Sequence, residues 1–174
     1  MSKTARIVKA CKDHDLSLEQ CAYVLATTWH ETAGTMMPVR EAYWLSEDWR
    51  KSNLRYYPWY GRGYVQITWK ANYTKAGERL NKDLTSDPDV VLEPEIAVEI
   101  LVRGMKEGWF TGKRLSTFIN KDRKDYVGAR RIVNGTDKDD LIAGYAQRYE
   151  ASLRKTNYYG GLLNWLKILL RRLP

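Results

Sequence analysis

Apolar positions along the chain recur mainly at helical spacing. Residues 3–13 carry apolar side chains that indicate a first helix. Ser17 and Gln20 match a capping box, which predicts that a second helix begins at Leu18 and runs to about Thr32. The predicted buried stripe of this second helix consists of Leu18, Cys21, Ala22, Leu25 and Trp29.

Further helices are predicted in the second half of the chain. Their approximate ranges are 71–80, 93–108, 115–119, 126–132 and 141–155. Residues 35–60 show no regular spacing and are crowded with tyrosine and tryptophan. A long irregular stretch is uncommon without a function, so we expect a functional loop region there.

The segment Gly61–Trp69 is glycine-hinged, and its polar residues alternate. Alternation predicts a short strand or strand pair with one polar and one inward face. Amide, hydroxyl and guanidinium groups beside glycines suit a surface that binds sugar hydroxyls. The alternative is an edge strand whose polar face meets only water. The predicted polar face consists of Arg62, Tyr64, Gln66 and Thr68.

The composition changes after Asn157. Residues 160–174 predict a separate cationic amphipathic C-terminal helix, following a catalytic domain over residues 1–159. The stretch 151–174 holds five basic residues and no acidic one. Two interpretations stay open: residues 162–174 bind an anionic membrane or outer-membrane surface, or their leucine face docks on the domain.

Charge and composition narrow the function classes. The chain has 174 residues, enough for one domain, and a formal net charge of +8, which favours anionic partners. No nucleic-acid-binding motif accompanies the charge, so we expect no nucleic-acid partner. Two cysteines and two histidines make neither a disulfide framework nor a structural zinc site, and we expect no metal or cofactor. Seven tryptophans and twelve tyrosines suit sugar rings.

Glu31 and Glu41 are the candidate acid and base. Glycoside hydrolysis needs one carboxylic acid and one carboxylate. Glu31 falls at the predicted end of the second helix, where the partial negative charge favours the protonated form that a general acid needs. On spacing alone the pair is a weak signal, since most glutamates lie on the solvated surface.

Several motifs together resemble glycoside hydrolase family 19, which comprises chitinases and related bacteriophage endolysins. The resemblance covers roughly residues 18–153 and implies a mainly α, lysozyme-like domain with a small β element lining a substrate cleft. The motifs are Trp29-His30-Glu31-Thr32-Ala33-Gly34, Glu41, Tyr60-Gly61-Arg62-Gly63-Tyr64-Val65-Gln66-Ile67-Thr68-Trp69, Asn72-Tyr73 and Ile132-Val133-Asn134-Gly135.

The resemblance also implies roles for individual residues. Glu31 becomes the general acid, Glu41 the general base, and Thr68 a hydroxyl that helps hold the attacking water. The implied substrate-binding residues, with His30 beside the acid, are His30, Tyr64, Gln66, Asn72 and Asn134.

Two departures from the family pattern favour its bacterial and phage branch. Leu141-Ile142 stands where plant members carry an arginine before their last core helix, and the disulfides of secreted members are missing.

We therefore expect a monomeric, inverting endolysin that cleaves β-1,4 bonds in bacterial peptidoglycan. The N-terminal residues lack the apolar core of a signal peptide, so we expect the protein to stay in the host cytoplasm until it is released across the inner membrane. The alternatives are a chitinase acting on N-acetylglucosamine polymers and a membrane-active wall-binding protein.

Overall fold

A computed structural model describes residues 1–158 of the chain, and the predicted C-terminal helix at 160–174 lies outside these residues. The described part is mainly α-helical with one two-stranded sheet, as predicted. Its elements are α1 (Lys3–Asp13), α2 (Leu18–Glu31), β1 (Val39–Arg40), α3 (Glu47–Asn53), β2 (Arg62–Gly63), α4 (Lys70–Leu80), α5 (Pro94–Glu107), α6 (Leu115–Phe118) and α7 (Asp139–Lys155).

The first two helices form where the sequence predicts them. Ser17 accepts a hydrogen bond from the Gln20 backbone N–H, and the Gln20 side chain accepts one from the Ser17 N–H, which completes the predicted capping box. Helix α2 ends at Glu31, and the turn that follows contains Gly34 at φ +79°. The backbone N–H of Gly34 donates to the Trp29 carbonyl, so the turn closes the helix directly after Glu31.

Helix α2 lies at the centre of the core. It packs most extensively against α7, and α1 and α5 contact it on other sides. The predicted stripe is therefore too narrow, since Tyr23, Val24 and Thr27 are buried as well. A helix enclosed on nearly all sides gives Glu31, at its end, a rigid support.

The prediction that residues 35–60 are wholly irregular is wrong. Ser46 caps the short helix α3 through its side chain, which accepts a hydrogen bond from the Trp49 backbone N–H. Strand β1 pairs antiparallel with β2, and Val39 lies opposite Gly63. Both elements flank Glu41, so this region is built to position it.

Residues 61–69 do not form the predicted alternating strand. Arg62 pairs with Ile67 across a tight reversal, in which Gly63 and Gln66 adopt positive φ values of +86° and +53°. The reversal breaks the alternation of faces. Arg62, expected on the polar surface, is buried, and Trp69, expected inside, is 45% exposed.

The later helices follow the predictions with one exception. Residues 126–132 form a 3₁₀ turn over Gly128–Ile132 rather than an α-helix. No helix within residues 1–158 combines the length and apolar character needed to cross a membrane.

Candidate active site

Glu31 forms an ion pair with Arg130. The Arg130 Nη1 donates to Glu31 Oε1 at 2.6 Å, and the side chains are 3% and 19% exposed respectively. Charge-assisted bonds of this kind are short and directional, so Arg130 fixes the orientation of the carboxylate.

Arg130 also ties the candidate acid to the Asn134 segment. Its Nε donates to the Asp137 carbonyl at 3.0 Å, and its own carbonyl accepts from the Asn134 backbone N–H at 3.1 Å. The side chain of Asn134 is exposed, and its Oδ1 accepts from the Gly135 N–H. No counterpart of the arginine of plant members is predicted from the sequence, and in the structure Arg130 lies against Glu31.

Glu41 follows β1 directly and is held from two directions. Its Oε2 accepts from the Gly61 N–H at 2.9 Å, and its Oε1 accepts from the Tyr56 hydroxyl at 2.6 Å. This hydrogen bond to Glu41, aided by burial, raises the pKa of Tyr56 to about 12. Tyr56 therefore stays protonated near neutral pH and remains a donor to the carboxylate.

Gly61 lies close to the side chains of both Glu41 and Gln66. A Cβ on this residue would lie 2.7 Å from Gln66 Oε1 and 3.1 Å from Glu41 Oε2. The backbone N–H of Gly61 approaches the carboxylate closely because no side chain intervenes. The same distances place the Gln66 amide next to the candidate base.

The backbone around Glu41 is anchored by a buried arginine that sequence reasoning missed. Arg50, on α3, donates from Nε to the Glu41 carbonyl and from Nη2 to the Ala42 carbonyl, both at 2.8 Å. Its ion pair with Glu47 balances the charge at 3.2 Å. The signal in the sequence was the Ser46 cap, which identifies α3 as a helix.

Gln66, Thr68 and Asn72 form a connected series near Glu41. The Gln66 Nε2 donates to the Val39 carbonyl at 3.0 Å, and Thr68 Oγ1 donates to the Gln66 carbonyl at 2.9 Å. Asn72 is exposed in the first turn of α4 and donates to the Thr68 carbonyl at 2.7 Å. The hydrogen bonds therefore link these three predicted site residues into one unit.

Two other predicted site residues differ in their placement. Tyr64 is 1% exposed and belongs to the hydrophobic core, so the expectation that it binds substrate is wrong. The turn after Gly63 directs its ring inward. His30 is half-buried in the last turn of α2, adjacent to Glu31, as its place in the sequence requires.

A small pocket lies between the helix that carries Asn72 and the segment that precedes Asn134. Asn72 and Val133, the neighbour of Asn134, line the same pocket of about 170 Å³. The Asn134 segment, which Arg130 connects to Glu31, thus faces the helix that carries Asn72. Within residues 1–158 no cluster of three or more His, Cys, Asp or Glu side chains is arranged to hold a metal ion.

Solved structures show the class of fold. Chitinase C from Streptomyces griseus HUT6037 superposes with a TM-score of 0.60 at 19% identity, covering 90% of this chain and 66% of that protein. At this identity the likeness establishes the fold alone: the lysozyme-like helical fold of the family 19 chitinases.

The sequence comparisons establish the family. The family model described as chitinase class I, glycoside hydrolase family 19, matches residues 3–102. The chain belongs to this family.

Curated relatives are similar over part of their length. An acidic endochitinase of Dioscorea japonica is 30% identical over 158 residues, spanning 82% of this chain and 60% of the relative. Chitinase 5 of Oryza sativa subsp. japonica is 34% identical over 93 residues, 49% of this chain and 32% of the relative. The chain thus spans about 60% or less of these relatives' length.

Proposed function

We propose that the protein is an inverting glycoside hydrolase that cleaves β-1,4 bonds between N-acetylated sugars. The observation that carries the proposal is the pair of oriented glutamates. Glu31 sits at the end of a buried helix against Arg130, and Glu41 is fixed by Gly61 and Tyr56. Two carboxyl groups held by independent partners can take different roles in one reaction.

Glu31 acts as the general acid in this proposal. Arg130 engages Oε1, and the proton passes from the carboxylic acid to the leaving glycosidic oxygen as the bond to the anomeric carbon breaks. The carboxylate that results is negatively charged beside a guanidinium. Arg130 therefore stabilises charge that develops during the reaction.

Glu41 acts as the general base. It takes a proton from water, whose oxygen attacks the anomeric carbon on the face opposite the leaving group. The hydroxyl of Thr68 helps hold this water, and Gln66, next to Glu41, binds the sugar. The exposed rings of Tyr43 and Trp44, two and three positions after Glu41, offer faces on which further sugars can stack.

As the substrate we propose bacterial peptidoglycan, and as the biological role an endolysin acting on the cell wall. The net charge of +8 favours contact with an anionic wall. We propose that the protein remains in the host cytoplasm until the inner membrane is permeabilised. The similarity to plant endochitinases favours a second candidate, a chitinase acting on N-acetylglucosamine polymers.

The test compares Glu31→Gln and Glu41→Gln with the unchanged protein on purified peptidoglycan and on chitin oligomers. We expect each variant to lose about 10²- to 10⁴-fold in the release of reducing ends. Glu78→Gln, an exposed glutamate on α4 that lines a separate pocket, is the matched control and should keep full activity. Unchanged hydrolysis by Glu31→Gln would refute the assignment.

Product analysis separates the two substrates and tests the stereochemistry. Mass analysis of fragments from each polymer identifies which one is cleaved and at which linkage. Proton NMR of the first products should show the α-anomer from a β-linked substrate. An initial β-anomer would contradict inversion, and no products from either polymer with the unchanged protein would overturn the hydrolase proposal.

A further inference from the structure

The pocket beside Asn72 has a cationic wall. Asn72, Lys75, Ala76 and Arg79 all line it, and their spacing along α4 puts them on one face of the helix. The opposite side is apolar and comprises Val65, Ile67, Trp109, Phe110 and Val133. The pocket therefore offers two basic side chains and one aromatic indole next to a predicted substrate-binding amide.

The positive charge of Lys75 has no acidic partner in this pocket. No acidic residue lines it, and within residues 1–158 Lys75 forms no salt bridge. Glu78 is the acid nearest on α4, and it lines a different pocket with Thr74 and Gly77. A bound anion would thus meet a cation without first displacing a carboxylate.

Trp109 is held in place as one wall of the pocket. The guanidinium groups of Arg79 and Arg103 lie 5.0 Å and 5.2 Å from its ring centroid. Its indole N–H donates to Glu107 Oε2 at 2.8 Å, and Arg103 pairs with the same carboxylate at 3.0 Å. Burial alone would raise the pKa of Glu107, but the hydrogen bonds from Arg103 and Trp109 and the nearby charges of Arg103 and Arg79 lower it, so Glu107 stays ionised.

We propose that this pocket binds a carboxylate-bearing substituent of the glycan, the lactyl-peptide branch of a muramic acid unit, and that Lys75 contributes specificity for branched over unbranched polymers. The carboxylate meets Lys75 and Arg79, and the apolar part of the branch packs on Trp109 and Val133. The proposal rests on the glycosidase function given above, because Asn72 would place the sugar ring at the mouth of the pocket.

Binding measured without catalysis tests this proposal independently of hydrolysis. The probes are N-acetylmuramyl dipeptide and its neutral form, in which the carboxyl groups are amidated, added to the full-length ¹⁵N-labelled protein. We expect the Trp109 indole signal to shift, and the neutral form to bind about 3- to 5-fold more weakly, a difference that diminishes at high salt. Equal affinity for the two forms would overturn the proposal.

Charge reversal at Lys75 supplies the second arm. Lys75→Glu should weaken dipeptide binding about 10-fold, and should lower kcat/KM on peptidoglycan strands by the same factor while leaving chitin oligomers unaffected. Lys155→Glu, at the exposed end of α7, is the matched control and should change neither. An equal loss on both polymers, or no loss on either, would refute the specificity role.

The two arms separate failure of this inference from failure of the hydrolase proposal. If the unchanged protein cleaves neither polymer, the hydrolase function is wrong, and the binding arm still decides whether the pocket accepts the carboxylate. If hydrolysis occurs but Lys75→Glu leaves dipeptide binding unchanged, the hydrolase function stands and the pocket proposal is wrong.

Discussion

At the scale of single residues, the candidate site depends on a buried arginine that faces a carboxylate across the fold. Arg130 is 3% exposed, and its partners are the Glu31 carboxylate and the Asp137 carbonyl. Removing one partner of a buried charge pair costs more than the pair contributes, because the remaining charge stays desolvated. Arg130 is therefore both a structural and a positioning residue for Glu31.

Arg130→Lys keeps the charge but loses the planar fork that reaches both partners. We expect kcat/KM on peptidoglycan or chitin oligomers to fall about 10- to 100-fold, the equivalent of one charge-assisted hydrogen bond of about 1.5–3 kcal/mol. The pH profile of kcat should also change, because the charge beside the acid moves.

Arg131→Lys is the matched control, since Arg131 is the exposed neighbour on the same turn. It should retain activity and an unchanged pH profile. Thermal melts of both variants show whether the fold survives. An Arg130→Lys protein with the original pH profile and kcat/KM would contradict the positioning role.

The two candidate catalytic glutamates could be picked out from the sequence, whereas the residues that orient them could not. Glu31 and Glu41 stand in motifs that are recognisable along the chain. Arg130 contacts Glu31 from 99 positions away, and Arg50 anchors Glu41 from a helix that sequence reasoning missed. Contacts of this kind are set by tertiary packing, and neither spacing nor periodicity reports them.

At the scale of elements, one aspartate connects both short strands to the turn that precedes α5. Asp89 accepts from both Nη atoms of Arg40, at 2.7 Å and 2.8 Å, and from Arg62 Nε at 2.8 Å. Arg40 and Arg62 are paired across β1 and β2. Two strands of two residues each have little stability alone, so we infer that this aspartate maintains their pairing.

Asp89→Asn should destabilise the β element. The expected loss is about 1–2 kcal/mol in the free energy of unfolding, because charged hydrogen bonds are lost but Asp89 is half exposed to solvent. Asp122→Asn, in an exposed loop, is the control and should change stability little. Denaturant unfolding measures both, and an unchanged midpoint for Asp89→Asn would contradict the role.

The stability that Asp89 contributes should also depend on pH. Burial alone would raise the pKa of Asp89, but hydrogen bonds from Arg40 and Arg62 lower it below its ordinary value of 3.8. A depressed folded-state pKa gives stability that is present above the ordinary value and lost as the pH falls through the folded value. The difference in the free energy of unfolding between the unchanged protein and Asp89→Asn should therefore have its largest value at pH 7. It should become smaller below about pH 4.

Helices whose starts are marked by capping residues or proline were predicted well. The segment in which the chain reverses direction was not. The capping box at Ser17 and the proline at position 94 mark the starts of α2 and α5. The segment 61–69 has the composition of a strand, yet positive φ values at Gly63 and Gln66 reverse the chain. A non-glycine residue at positive φ is uncommon, so the turn at Gln66 could not be expected from its residue type.

At the scale of the whole molecule, α7 closes the described domain. Arg154, near its end, pairs with Glu19 of α2 at 2.6 Å, and Tyr158 donates a hydrogen bond to the Leu16 carbonyl at 3.1 Å. Burial alone would raise the pKa of Glu150, but hydrogen bonds from Arg154 and its other neighbours lower it. The Glu150 carboxylate therefore stays ionised where α7 packs on the domain. The contacts that hold α7 to the rest of the domain therefore include several made by residues before position 160.

Deleting residues 160–174 should separate hydrolysis from delivery to the cell. The deletion removes three basic residues and no acidic one, and both partners of the hydrogen bond from Tyr158 to the Leu16 carbonyl remain in the shortened chain. We expect release of reducing ends from isolated peptidoglycan to stay within about two-fold, because the candidate site lies wholly in residues 1–158. Binding to vesicles rich in anionic lipid, and lysis of intact cells from outside, should fall strongly.

A full-length variant with Lys167, Arg171 and Arg172 changed to glutamine is the matched control for charge. If electrostatic attraction drives the surface binding, this variant should lose it as the deletion does, and high salt should have the same effect on the unchanged protein. Vesicle binding retained by the neutral variant would instead assign it to the apolar residues. Loss of hydrolysis and of thermal stability in the deletion would show that the segment docks on the domain, contradicting the delivery role.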